Sequence, residues 1–274
     1  MRFNSPLYIK SAFFICLVFL VGSCTDTTEL KERSWDLVWE DNFDGDAGTQ
    51  INTNNWGYDL GRGPNGDGWG NAELQTYTND VQNVSLDGQG NLMITARNNG
   101  GFTSGRILTK GLFDQAFGRF EARIKLPYGQ GIWPAFWMLG SNIDVVGWPQ
   151  CGEIDVLELK GQEPSVIHGS LHGPGYSGGN PISKSYGLNN DRFDLEFHNF
   201  AIEWDENSIN YIVDDVIYQR ITKDDVPGEW VYDQPFHILL NVAVGGNYVG
   251  FPAANTPFPQ TMYVDFVKVF KEIN

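Results

Sequence analysis

Residues 119–126 (RFEARIKL) alternate polar and apolar side chains one for one. Phe120, Ala122, Ile124 and Leu126 fall on one face and Arg119, Glu121, Arg123 and Lys125 on the other, which predicts a strand with one buried and one wet side. β-type runs at 208–213 and 216–221 flank Asp214-Asp215, which reads as a two-residue hairpin turn. Residues 237–244 (HILLNVAV) predict a more deeply buried strand and residues 263–270 (YVDFVKVF) a closing one. From Asp36 onward, short runs of this kind alternate with Gly, Pro, Asn and Asp turns. No window keeps a 3.6-residue apolar period over three turns. The pattern predicts an all-β, antiparallel two-sheet sandwich in one domain. Two irregular stretches, 57–71 and 172–185, are long enough to carry function.

The N-terminus follows another pattern. Arg2 and Lys10 precede an apolar stretch at 11–21 (SAFFICLVFLV) that is shorter than the roughly 20 residues a spanning helix needs. This reads as an export signal outside the fold. Val21-Gly22-Ser23-Cys24 resembles a bacterial lipobox, which implies cleavage before Cys24 and lipid attachment there. The expected organisation is a leader at 1–23, a polar tether at 24–34 and a folded domain at 35–274. The expected product is exported, either anchored to a membrane through its N-terminal lipid alone or secreted, and monomeric. Cys151 is then left without a cysteine partner, and no CxxC pair offers a zinc site.

The chain carries a net charge of −16, and loss of Arg2 and Lys10 with the leader leaves 16 basic against 34 acidic residues. Such a surface repels nucleic acid and disfavours sulfated or uronate-rich polymers. A neutral ligand ranks first. The 9 Trp, 11 Tyr and 18 Phe fit an aromatic-lined binding surface.

The chemistry concentrates in residues 148–161 (WPQCGEIDVLELKG). Glu153, Asp155 and Glu158 sit among Ile154, Val156, Leu157 and Leu159, so three acids interrupt a strand of central character. Acids there are costly unless paired or functional. In a regular strand Glu158 would face opposite to Glu153 and Asp155. One extra residue, taken up as a β-bulge at Val156-Leu157, returns it to their side. Ile154, one bulge residue and Leu159 then face inward. Two carboxyl groups on one wet face suit glycoside hydrolysis, in which one attacks or activates water and the other protonates the leaving oxygen. Asp155 between them is expected to hydrogen-bond its neighbours and hold their pKa values apart. A solvated acidic strand or a cation site is the plainer alternative.

EIDVLE at 153–158 matches the longer form of the E-x-D-x-(x)-E signature, and the chain here resembles glycoside hydrolase family 16, in its laminarinase-like branch. LVWEDNFDG (37–45), GWGNAELQTYT (68–78), GIWPAFWML (131–139), WPQCGEID (148–155), LHGPGYSGG (171–179), LLNVAVGGN (239–247) and TPFPQTMYVDFVKV (256–269) continue the resemblance in order. It implies a β-jelly-roll with a concave cleft and retaining, endo-acting hydrolysis of β-1,3-glucan. By position, Glu153 is implied as nucleophile, Glu158 as acid/base and Asp155 as assisting acid. Trp133, Trp137 and Trp148 are implied as sugar-stacking candidates, and Asn71, Glu73, Arg106 and His172 as polar cleft residues. The resemblance also implies a structural calcium held by Asn42, Gly90 and Asp265, and no organic cofactor. Asn42 and Tyr248 depart from the residues usual at their positions.

Other readings stand beside this one. Within the family, a β-1,3-1,4-glucanase or a neutral-galactan hydrolase would keep the same acids, although the strict mixed-linkage enzymes usually lack the bulge residue. A surface glycan-binding lipoprotein would keep the aromatics without needing both glutamates. G-x-S-x-G at 175–179 and G-x-G-x-x-G at 61–66 lack the strand-and-helix setting that each chemistry requires.

Overall fold

The computed structural model describes Met1 and residues 33–273. The leader, the lipidation candidate Cys24 and tether residues 24–32 lie outside the described residues. Arg33 and Ser34, which the sequence pattern assigns to the tether, pack with the folded unit. The Arg33 guanidinium pairs with Asp205, and the Ser34 carbonyl accepts from the Ile273 N–H at 2.9 Å.

The strands are β1 (Trp35–Asp41), β2 (Gly57–Tyr58), β3 (Thr76–Tyr77), β4 (Val84–Leu86), β5 (Leu92–Asn98), β6 (Phe102–Ser104), β7 (Arg106–Leu108), β8 (Gly118–Lys125), β9 (Ile132–Gly140), β10 (Glu153–Leu159), β11 (Val166–His172), β12 (Ile182–Gly187), β13 (His198–Trp204), β14 (Ser208–Val213), β15 (Val216–Thr222), β16 (Phe236–Val244) and β17 (Gln260–Glu272). One sheet runs β12-β11-β10-β9-β16-β7-β2. The other runs β15-β14-β13-β8-β17-β5-β6-β3, with β1 beside β17 and β4 beside β5. The long strands pair antiparallel, as the alternation predicts, and β3 pairs with β6 in parallel. The α-helix among the described residues is a single turn, α1 (Ile143–Val146). The fold is the all-β jelly-roll sandwich that the resemblance implies.

Period-two patterning builds the core. In β8, Phe120, Ala122 and Ile124 are buried while Arg119, Glu121, Arg123 and Lys125 stay half-buried. From the facing sheet come Phe136 and Met138 of β9, Ile154 and Leu157 of β10, and Leu240 and Val242 of β16. Each such side chain contributes about 1.5–3 kcal/mol by leaving water, so register is strongly specified. The hairpin between β14 and β15 turns at Asp214 (φ 46°) and Asp215 (φ 66°), both left-handed as a type I′ turn requires. The Asp214 carboxylate also accepts the Asn199 N–H at 2.9 Å.

The bulge lies where the acid spacing requires it. Against β9, Asp155 pairs with Trp137 and Leu157 with Phe136, leaving Val156 extra. Against β11, Asp155 pairs with Ser170 and Glu158 with His168, so Val156 and Leu157 together oppose Gly169. Both bulge residues are buried, Val156 2% and Leu157 0% exposed, where the pattern predicted one inward-facing residue. Tyr211 and Tyr218 press against this point from the other sheet. A Cβ on Gly169 would lie 2.3 Å from the Tyr218 hydroxyl and 2.6 Å from Tyr211 Cδ1. Gly169→Ala is therefore expected to lower stability by about 1–3 kcal/mol through overpacking. A urea titration that leaves the midpoint unchanged would contradict this account of the bulge.

Candidate active site

Directly paired residues on neighbouring strands share a face, so the ladder shows which side chains meet. Glu153 lies between Leu139 and His172, Asp155 between Trp137 and Ser170, and Glu158 between Ala135 and His168. Ala135 pairs onward with Asn241, and Asn241 with Arg106. A single row therefore runs Arg106, Asn241, Ala135, Glu158, His168 across five strands. Without the bulge, Glu158 would point into the apolar interior. Instead Glu158 Oε1 accepts from Trp133 Nε1 at 3.0 Å, on the same side as Glu153 and Asp155.

The three acids are removed from water to different depths. Asp155 is 3% and Glu158 9% exposed, and the Glu153 side chain is 17% exposed. All three carboxyls are raised to about 8, first by burial and, at the two glutamates, also by the Asp155 charge. Asp155 thus acts on its neighbours through space. No hydrogen bond joins the three acids among the described residues, and one oxygen of each glutamate takes an indole N–H. Trp148 Nε1 donates to Glu153 Oε2 at 3.0 Å, as Trp133 does to Glu158.

His172 completes the cluster. Its Nδ1 accepts the Gly178 N–H at 3.1 Å, which places the ring proton on Nε2. Nε2 lies 3.2 Å from Asp155 Oδ2 and 3.7 Å from Glu153 Oε1. Glu153, Asp155 and His172 could converge on a metal by distance alone. A ring nitrogen that carries a proton has no lone pair to give, so the arrangement suits carboxyl chemistry better.

Of the stacking candidates, Trp148 presents the most open ring, 45% exposed. Trp133 is half-buried and packs against Tyr248 at 5.1 Å between centroids. Trp137 is also half-buried; its Nε1 donates to Asn241 Oδ1 at 2.8 Å, and Arg106 covers its ring at 4.8 Å. Arg106 is held between Trp137 and Trp69, whose centroid lies 4.3 Å from its guanidinium carbon, and pairs with Asp59 at 2.9 Å. Glu73 is buried and accepts from Asn71 Nδ2 at 3.1 Å and Gln75 Nε2 at 2.6 Å. Asn241 Nδ2 donates to the Tyr77 hydroxyl at 3.1 Å, which links Glu73 to the row at Asn241. The structure thus gathers Asn71, Glu73, Arg106 and His172 around the cleft strands.

Asp59, Trp69, Gln75, Tyr77, Asn241, His168 and Lys160 escaped the sequence reading. Asn241 alone left a signal, as the one amide within HILLNVAV. Lys160 reaches over the Tyr248 ring at 4.7 Å, beside Trp133 and Glu158. Cys151 is buried and its thiol is pushed up to about 11, chiefly by burial, so it packs rather than reacts. Residues 173–179 form turns and an isolated bridge, with no strand-to-helix elbow around Ser177.

Residues 71–267 match glycosyl hydrolases family 16. The chain belongs to that family. A β-glucanase from Rhodothermus marinus is 34% identical over 96% of this chain and 94% of its own length. The endo-β-1,3-glucanase of Pyrococcus furiosus is similar in structure, with a TM-score of 0.84 at 44% identity over 90% of this chain and 98% of that one. The laminarinase catalytic domain of Thermotoga maritima gives 0.82 at 44% identity, over 88% and 99%. The family 16 signature therefore falls on the three acids that the bulge brings together.

The residues expected to hold calcium gather at a fork in the other sheet. β17 pairs with β5 up to Val264 and with β1 from Val267 onward. Asp265 lies in the bulge between these pairings, level with Asn42 after β1 and Gly90 before β5. An added Gly90 Cβ would lie 3.9 Å from the Asn42 carbonyl oxygen. Arg123 holds Asp265 Oδ2 at 2.5 Å. An oxygen set with one carboxylate fits a hard cation, with Arg123 as its competitor.

For a family 16 hydrolase with this cluster, stability has a defined pH dependence. A carboxyl whose folded pKa is raised favours folding below its unfolded value of 4.5 and loses that contribution as pH rises toward about 8. Glu158→Gln removes one such group. Its unfolding free energy relative to wild type is expected to rise between pH 4 and pH 9, by on the order of 1–3 kcal/mol. A difference that stays flat across this range in chemical denaturation would contradict the raised pKa.

Proposed function

We propose that the protein cleaves internal β-1,3 linkages of a neutral β-glucan by double displacement, with retention at the anomeric carbon. The observation that carries this reading is the placement of Glu153 and Glu158 on one cleft face, each fixed by an indole N–H. Each glutamate accepts one indole N–H, Glu153 from Trp148 and Glu158 from Trp133, and His172 Nε2 lies 3.2 Å from Asp155 and 3.7 Å from Glu153. The order of the two glutamates in the family 16 signature, Glu153 first and Glu158 last, supports Glu153 in the ionised role and Glu158 as the proton donor. Glu153 attacks the anomeric carbon as Glu158 protonates the departing glycosidic oxygen. Glu158 then removes a proton from water, whose oxygen attacks the same carbon and releases Glu153.

The choice of substrate is supported by the net negative charge, by the open Trp148 ring at the cleft, and by relatives described as β-glucanase and laminarinase. Aromatic rings suit the C–H faces of pyranoses. Glu153→Gln is expected to lower kcat on laminarin by roughly 10³-fold or more while the protein stays folded. Early products of the wild-type enzyme should be the β-anomer by NMR. An initial α-anomer, or a Glu153→Gln variant of wild-type activity, would overturn the mechanism.

The fork at Asn42, Gly90 and Asp265 is the proposed calcium site, where the ion would tie β1, β5 and β17 together far from the carboxyl cluster. Saturating calcium is expected to raise Tm by about 5 °C, with reversal by EDTA. Asp265→Asn should abolish that increment. A Tm indifferent to calcium removes the proposal.

A further inference from the structure

β3 has two working faces. Tyr77 sends its hydroxyl into the cleft network, and its neighbours Thr76 and Thr78 must point the other way. With Arg97 at the end of β5, the turn at 99–101, Phe102 and Thr103, they line a cavity of about 430 Å³. This volume falls within the roughly 300–1,000 Å³ of ligand pockets. None of the three acids and none of the cleft tryptophans lines it.

The floor of the cavity is tied by hydrogen bonds around Asn83. Asn83 is 3% exposed. Its Nδ2 donates to the Thr95 carbonyl at 2.8 Å and to Thr103 Oγ1 at 3.2 Å, and its Oδ1 accepts from Thr78 Oγ1 at 2.8 Å. Phe102, half-buried against Phe258 at 5.4 Å, adds an apolar wall.

The rim, by contrast, holds polar groups in reserve. Arg97 spends Nε on the Gln82 carbonyl at 2.7 Å, and its terminal nitrogens have no partner among the described residues. Asp80 uses Oδ1 for the Gln82 N–H at 2.8 Å and forms no ion pair with Arg97, although both line the cavity. The side chains of Thr76, Gln82 and Asn99 likewise make no hydrogen bond among the described residues.

This combination selects a ligand chemistry. An anion would meet Asp80 and a cation would meet Arg97. A vicinal diol satisfies both, because its oxygen accepts from the guanidinium while its O–H donates to the carboxylate. The free amides and hydroxyls extend the same pattern, and the Phe102 ring offers the apolar side that a pyranose face needs. We infer that this cavity is a second sugar-binding site, separate from the hydrolytic cleft, that holds one or two units of a neutral polysaccharide. Only the identity of the sugar rests on the β-glucan reading. A chain held there is presented to the cleft at a high effective concentration.

The test uses the full protein carrying Glu153→Gln, titrated with laminaripentaose and followed by ¹⁵N NMR. Two sets of shifts are expected, one at the Trp133 and Trp148 indoles and one at Arg97, Asn99 and Thr103. Arg97→Met combined with Asp80→Ala should erase the second set and leave the first. In the active enzyme, the same pair of substitutions should raise KM for laminarin by about 3–10-fold and leave kcat/KM for laminaritetraose unchanged. Shifts at the cleft alone, or an unaltered KM for laminarin, overturn the second site. Shifts at the cavity alone support it and overturn the β-glucan reading of the cleft. Shifts at neither overturn both.

Discussion

Two residues of β10 stand opposite one residue of β11, and the cleft depends on that mismatch. A regular strand would put Glu158 on the apolar face beside Ile154 and Val156, where an unpaired carboxylate is costly, and would turn Leu157 and Leu159 toward the wet face. The bulge moves the acid to the wet face while the strand's apolar residues remain in the core. Gly169 makes room because Tyr211 and Tyr218 occupy the space that a side chain would need. The catalytic geometry is therefore set partly by aromatic packing from the opposite sheet, on residues that never approach the sugar.

Electrostatics follows from that geometry. Burial raises all three carboxyls, and the Asp155 charge adds to it at both glutamates. One indole N–H fixes each glutamate, Trp148 at Glu153 and Trp133 at Glu158, and His172 lies nearest Asp155. Trp133 and Trp148 thus orient acids, beyond the sugar stacking implied for them. A cluster of this kind trades stability for reactivity, which fits its position on a well-packed sheet.

Much of this was legible in the sequence, and the limits have physical causes. The alternation in 119–126 gave β8 because one face is buried and the other wet. The spacing of Glu153, Asp155 and Glu158 gave the bulge because only one extra residue reconciles it with period two. The Asp214-Asp215 turn was readable from its two flanking runs. Asp59, Trp69 and His168 were not, since each acts through a partner far away in the chain. Arg106 becomes a clamp only once Trp69 and Trp137 close on it. The pKa pattern was not legible, because burial of the three acids, its largest cause, is set by the packing of neighbouring strands.

β17 is shared among three neighbours, pairing with β8 along one edge and with β5 and β1 in succession along the other. Until it is synthesised, β1 has no ladder and β8 lacks one side. The outer sheet therefore cannot assemble progressively from the N-terminus. Its closure waits for contacts separated by more than two hundred residues, such as Trp35 with Glu272, which is the kind of topology that folds slowly. A nascent chain of this protein keeps its outer sheet open until β17 has been made.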